Sequence, residues 1–170
     1  MTKIIFISGA PGSGKTTISN RIKDILPNSV LIDFGWIREF HLDASWSNAS
    51  DEEENMSFEN LIFILKNYIK NDYPYVIVND LLDKRIQHIH EIFSSKNYFI
   101  FSLVVHDNTE LSNRVLDETR DSGFRDVDAA TKCNTALIER IPCKNEYKID
   151  NTLKNPDEAV RTILQKLHEP

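Results

Sequence analysis

Apolar positions along this chain fall into two alternating rhythms. One is a short, nearly continuous run. KIIFIS (3–8), SVLID (29–33), YPYVIVND (73–80), YFIFSLVVHD (98–107) and YKID (147–150) are runs of this kind. Unbroken apolar runs of this length predict strands covered on both faces, where period-two alternation disappears. The other rhythm repeats every three or four residues. It predicts a helix from about Lys15 to Leu26, where Pro27 forbids continuation. In SFENLIFILKNYIKN, Phe58, Leu61, Ile62, Leu65, Tyr68 and Ile69 share one helical face. LDKRIQHIHEIFSS reads as one helix with Ile86, Ile89 and Phe93 inward. NTELSNRVLDETR is helical with Asn108 or Thr109 as its cap. VDAATKCNTALIER is a further helix, and NPDEAVRTILQKLH closes the chain with Pro156 in a first turn. FGWIREFHL predicts a short helix, followed by a polar loop or arm, DASWSNASDEEEN. Ser50 followed by Glu53 fits a capping box at the end of that arm.

Strands separated by helices imply right-handed crossovers and a parallel sheet with helices on both faces. Ligands on such sheets gather at the carboxyl ends of the strands. The informative residues are therefore those just past each strand: Gly9 to Thr17, Asp33 to Arg38, Asn79 and Asp80, His106 and Asp107, and Asp150 to Thr152.

Composition narrows the classes. The chain has 170 residues, 41% of them hydrophobic, which suits a single domain with one core. No apolar run reaches the length of a membrane span, and the N-terminus shows no signal-peptide pattern, so a cytoplasmic protein with no membrane partner is expected. Cys133 and Cys143 form neither a disulfide framework nor a four-ligand zinc site. A formal charge of −6 argues against broad nucleic-acid binding.

The decisive stretch lies between the first strand and the first helix. Gly9-Ala10-Pro11-Gly12-Ser13-Gly14-Lys15-Thr16 matches G-x-x-x-x-G-K-[ST] in full. Glycines let successive N–H groups turn inward around a phosphate, and the helix N-terminus adds partial positive charge. Lys15 reaches the β- and γ-phosphates, and the Thr16 hydroxyl suits Mg²⁺; Thr17 follows on the same turn.

With this motif and element order, the whole chain resembles a small P-loop kinase of the nucleoside-monophosphate, shikimate and gluconate kinase group. The resemblance implies a three-layer α/β fold with a five-stranded parallel sheet in the order 2-3-1-4-5. It implies MgATP as phosphate donor, an acceptor-binding arm at about 34–57 and an arginine-bearing lid at about 118–128. In such kinases the acid ending strand two orients or deprotonates the acceptor, which assigns that role to Asp33; an arginine nearby holds an anionic acceptor, which assigns Arg38. Trp36, Phe40, His41 and Trp46 crowd the same region and suit a ring-bearing acceptor, with core packing the equal alternative. Asp80 follows an apolar strand as a magnesium-handling acid does, with Asn79 beside it. Arg114, Arg120 and Arg125 fall in the lid region, where the resemblance implies contacts to donor phosphates or the adenine face, and the loop at Asn151 is expected against the base.

The expected activity is therefore transfer of the γ-phosphate of ATP to a hydroxyl or phosphate of a small-molecule acceptor, by a monomer or homodimer. The alternatives are a nucleotide-binding regulator or simple NTPase without an acceptor, and a kinase for polynucleotide 5′ ends, which the lack of a basic stripe disfavours.

Overall fold

The computed structural model describes residues 1–41, 50–120, 122–153 and 155–168. Five strands, β1 (Lys3–Gly9), β2 (Ser29–Asp33), β3 (Tyr75–Asn79), β4 (Tyr98–Val104) and β5 (Glu146–Asp150), form one parallel sheet. Their order is β2-β3-β1-β4-β5, as expected. Eight helices accompany them among the described residues: α1 (Lys15–Ile25), α2 (Phe34–Arg38), α3 (Asp51–Lys70), α4 (Asp83–Ile86), α5 (Ile89–Ile92), α6 (Asn108–Leu116), α7 (Val127–Glu139) and α8 (Pro156–His168).

The continuous apolar runs have a simple cause. Ile4 and Phe6 of β1 face a core built with Leu61 and Leu65 of α3 and Ile86 and Ile89 of α4 and α5. Ile5 and Ile7 face the opposite core, with Ile18 and Ile22 of α1 and Ile163 and Leu167 of α8. Successive strand side chains point to opposite faces, so a central strand needs apolar residues at every position. A smaller cluster, Val105, Leu111, Val115 and Ala130, seats α6 and α7 beyond β4.

Two local expectations change. The predicted helix through residues 82–95 is two short turns. At His88 and Glu91 the backbone bonds run to the third preceding carbonyl, Arg85 and His88. These tightened turns match the three-residue spacing of Ile86 and Ile89, and keep both side chains on the core. The cap of α6 is Asp107, not Asn108 or Thr109. Its Oδ1 accepts from the N–H groups of Thr109 (2.8 Å) and Glu110 (3.1 Å), because the turn begins one residue earlier than the polar pattern suggests. The capping box of α3 is present: Ser50 Oγ accepts from Glu53 N–H (3.2 Å) and donates to Glu53 Oε2 (2.9 Å).

Candidate functional site

The phosphate loop joins β1 to α1 at the centre of the sheet. Gly14 caps α1 in the left-handed region (φ 97°), with no side chain bonded to the first-turn N–H groups. Those donors have no partner within the helix itself and are suited to an anion. A Cβ on Gly9 would lie 2.8 Å from the Leu103 carbonyl oxygen, so the loop follows β4 more closely than any side chain allows. Lys15 folds back over the loop: its Nζ donates to the carbonyls of Gly9 (3.0 Å) and Ala10 (3.2 Å) and pairs with Asp80 Oδ1 (3.2 Å). Asp80 itself has φ 62°, in the left-handed region that aspartate and asparagine enter more readily than other side chains, as Asn28, Asp72 and Asn145 also do. Thr16 and Thr17 are exposed at the mouth of the loop.

On the acceptor side, Asp33 is held through both of its carboxylate oxygens. It caps α2, with Oδ1 accepting from Gly35 N–H (2.9 Å), and its Oδ2 accepts from Asn79 Nδ2 (2.8 Å). Parallel register sets Asp33 beside Asn79 across β2 and β3. Asn79 is buried, and its Oδ1 accepts from Ser19 Oγ of α1 (3.3 Å). Burial raises the Asp33 pKa above the usual aspartate value; the Asn79 amide opposes this, Asp80 adds to it, and the Gly35 N–H and Lys15 oppose it. Each carboxylate oxygen keeps a further lone pair for a proton. Arg38 donates from Nε to Glu54 Oε1 (2.6 Å), with Nη2 on the same oxygen. Trp36 and Phe40 are 67% and 76% exposed, so the alternative that these two rings belong to the core is excluded. Trp46 and the middle of the expected arm lie outside the described residues.

The base side differs from expectation. Arg114 does not point at a phosphate. It is 7% exposed and lies on the packed face of α6 beside Leu111 and Val115. Its Nε donates to Glu110 Oε1 (2.7 Å), Nη1 to the Asn151 carbonyl (2.9 Å) and Nη2 to the Thr152 carbonyl (2.7 Å). It therefore braces the loop after β5. The Asn151 side chain turns away from the base region and donates to the Ser13 carbonyl (2.7 Å). Beside this loop is a cavity of about 280 Å³ lined, among the described residues, by Asp107, Glu110, Thr152 and Leu153.

Arg120 and Arg125 sit near one another between α6 and α7. Arg120 Nη1 donates to the Val115 carbonyl (3.0 Å), and Arg125 Nη1 to the Phe124 carbonyl (2.8 Å). Burial and then the neighbouring Arg125 charge lower the Arg120 pKa, against Asp117. Neither guanidinium forms an ion pair among the described residues.

Two structures share this architecture over nearly the whole chain. A sugar kinase from a Janibacter species superposes with TM-score 0.73 at 15% identity, covering 98% of this chain and 95% of its own. The tunicamycin resistance protein of Deinococcus radiodurans superposes with TM-score 0.72 at 15% identity, covering 100% and 98%.

The chain has the fold of the small P-loop kinases.

Sequence comparison reaches part of this P-loop chain. The Zeta toxin family matches residues 2–60, which hold the phosphate loop, Asp33 and Arg38. A uridine kinase of Borrelia hermsii is 33% identical over 86 residues, covering 46% of this chain and 42% of that protein. The match thus spans less than half of that relative's length. Among the described residues, no helix is long and apolar enough to cross a membrane.

Proposed function

We propose that this chain transfers the γ-phosphoryl group of ATP to a hydroxyl of a small molecule. The observation that carries the reading is one continuous set of contacts along the carboxyl edge of the sheet: the phosphate loop and Lys15, then Asp80, then Asn79 and Asp33. Lys15 and the first-turn N–H groups of α1 hold the donor phosphates. The expected Mg²⁺ has suitable holders in the Thr16 hydroxyl and the Asp80 carboxylate, and when bound it supplies charge neutralisation on the phosphates. Asp33 orients the acceptor hydroxyl and takes its proton as that oxygen bonds to the γ-phosphorus and the bond to ADP breaks. A carboxylate raised by burial is a better base for that task than an exposed one. Arg120 and Arg125 neutralise charge spreading over the transferred group. The cavity beside Thr152 and Leu153 suits the base.

A hydroxyl suits this site better than an acceptor phosphate. Arg38, expected to hold an anion, is engaged by Glu54. From Phe34 to Ser57 the sequence has no other lysine or arginine, against Glu39, Asp43 and the run Asp51 to Glu54. A phosphate dianion would find few charge-assisted donors in this stretch itself, and Arg85, which reaches the segment from α4, donates to Asn55. Exposed Trp36 and Phe40 offer ring faces to the acceptor instead. ADP release from MgATP, followed against matched pairs such as a nucleoside and its monophosphate or a sugar and its phosphate, tests this. Stimulation is expected from the unphosphorylated members. Stimulation confined to the phosphorylated members would reverse the acceptor assignment, and ADP release unaffected by any pair would leave a simple NTPase.

A further inference from the structure

The loop after β5 has a role on the phosphate side that its distance along the chain conceals. We propose that Asn151 is a positioning residue of the phosphate loop: its side-chain amide, carried on a backbone that Arg114 holds, fixes the Ser13–Gly14 peptide so that the Gly14 N–H faces the bound phosphates, and it takes no part in choosing the base. This rests on the phosphate-loop reading above.

A peptide unit is planar and trans, so its C=O and N–H point in opposite directions. Asn151 Nδ2 holds the Ser13 carbonyl from outside the loop at 2.7 Å, which turns the Gly14 N–H the other way. The contact leaves no room for adjustment. A Cβ on Gly14 would lie 2.7 Å from Asn151 Nδ2, and Gly14 already has a φ of 97°. Asn151 is 5% exposed, and its Oδ1 is buried without a partner.

The brace is itself fixed. Asn151 N–H donates to the Val104 carbonyl (2.9 Å) at the end of β4. Arg114 takes the Asn151 and Thr152 carbonyls, and Thr152 Oγ1 accepts from His106 N–H (2.8 Å). Contacts therefore run from α6 through Arg114 and Asn151 to Ser13. Arg120, four residues past the end of α6, bonds back to that helix at the Val115 carbonyl. The phosphate cradle and the helix leading into the lid are thus mechanically one unit.

Calorimetric binding of inorganic triphosphate, ADP and GDP separates this role from base recognition. Asn151→Ala should weaken triphosphate and ADP by the same factor, about tenfold for one charge-assisted donor displaced. The ratio of ADP to GDP affinity should not change. Arg114→Met should act in the same direction, less strongly. Unchanged triphosphate affinity in Asn151→Ala, or an altered ADP-to-GDP ratio, overturns the inference. Should these variants fail to fold, the wild-type protein still decides: the Gly14 amide resonance must shift on adding triphosphate, and a Gly14 amide indifferent to bound triphosphate overturns the proposal. A wild-type protein that binds no triphosphate at all would instead remove the phosphate-loop reading beneath it.

Discussion

Arg140 and the pair Arg120 and Arg125 carry the same charge in opposite surroundings. Arg140, at the end of α7, spans two carboxylates: Nη1 and Nη2 each donate to Glu146 at 2.7 Å, and Nη2 also to Asp83 Oδ1 at 2.7 Å. Glu146 is buried and further accepts from Ser102 Oγ and from the Cys143 N–H. Burial alone would lower the Arg140 pKa, yet the bonds to Glu146 and Asp83 raise it above the usual value. Among the described residues, Arg120 and Arg125 donate to carbonyls of nearby residues. A charge whose counter-charge is built into the fold holds the fold. A charge set against carbonyls contributes less to the fold than one with a built-in counter-charge. Lys15 stands between them, since one carboxylate and two carbonyls hold it.

The largest expected effect lies at the satisfied end of this contrast. Arg140→Met strands a buried carboxylate and should cost about 3–5 kcal/mol of unfolding free energy, while the paired change Arg140→Met with Glu146→Met should recover most of it. Urea unfolding of both variants checks this, and a single variant as stable as wild type would refute the fold-holding role. The pH dependence follows from Glu146. Burial would raise its pKa, but Arg140, Ser102 and the Cys143 N–H hold it below the ordinary glutamate value. Its contribution is therefore fully present above that ordinary value and lost as pH falls through the depressed one. Glu146→Gln should flatten this acid limb of stability.

Next comes Lys15→Ala, where the loss falls on transfer. About 2–4 kcal/mol of transition-state stabilisation should vanish, with the unfolding transition in place. Near-normal turnover would sink the phosphate-loop reading. Smallest are Arg120→Ala and Arg125→Ala. Each should lower kcat by about tenfold, roughly 1.4 kcal/mol, and leave unfolding within about 0.5 kcal/mol. Amide exchange over residues 122–126 should slow on adding MgATP. Normal kcat together with unchanged exchange would make these arginines ordinary surface residues.

The strands were legible because burial on both faces writes itself as an apolar run, as in Ile4 to Ile7. The phosphate loop was legible because its backbone demands glycine at set positions. Asp33 could be placed at a strand end, but its partnership with Asn79 needs parallel register across 46 residues, which no local pattern carries. Arg114 misled for the same reason. The resemblance implied a contact to donor phosphates or the adenine face, whereas its position on the packed face of α6 buries it against carbonyls of residues 151 and 152. Arg140 and Glu146 lie six residues apart, but their pairing needs the chain to turn back on itself between the end of α7 and the start of β5. The break at His88 was hidden because inward apolar residues satisfy a continuous helix and two tight turns equally well.

The strand order has a consequence for how such a chain is made. β1 leaves the ribosome before the other four strands of the sheet, yet it lies in the middle, between β3 and β4. Neither neighbour is next in sequence. Ile4 to Ile7 therefore remain without ladder partners on one side until Tyr75–Asn79 has been synthesised, and on the other until Tyr98–Val104 has. An unpaired apolar strand is a template for association with other chains, and pairing across such separations is slow. A nascent chain halted before β4 exposes its most apolar edge for as long as it is halted. Asn151 arrives later still, so the phosphate loop is completed only after β5 has been made, although its own glycines precede every strand but β1.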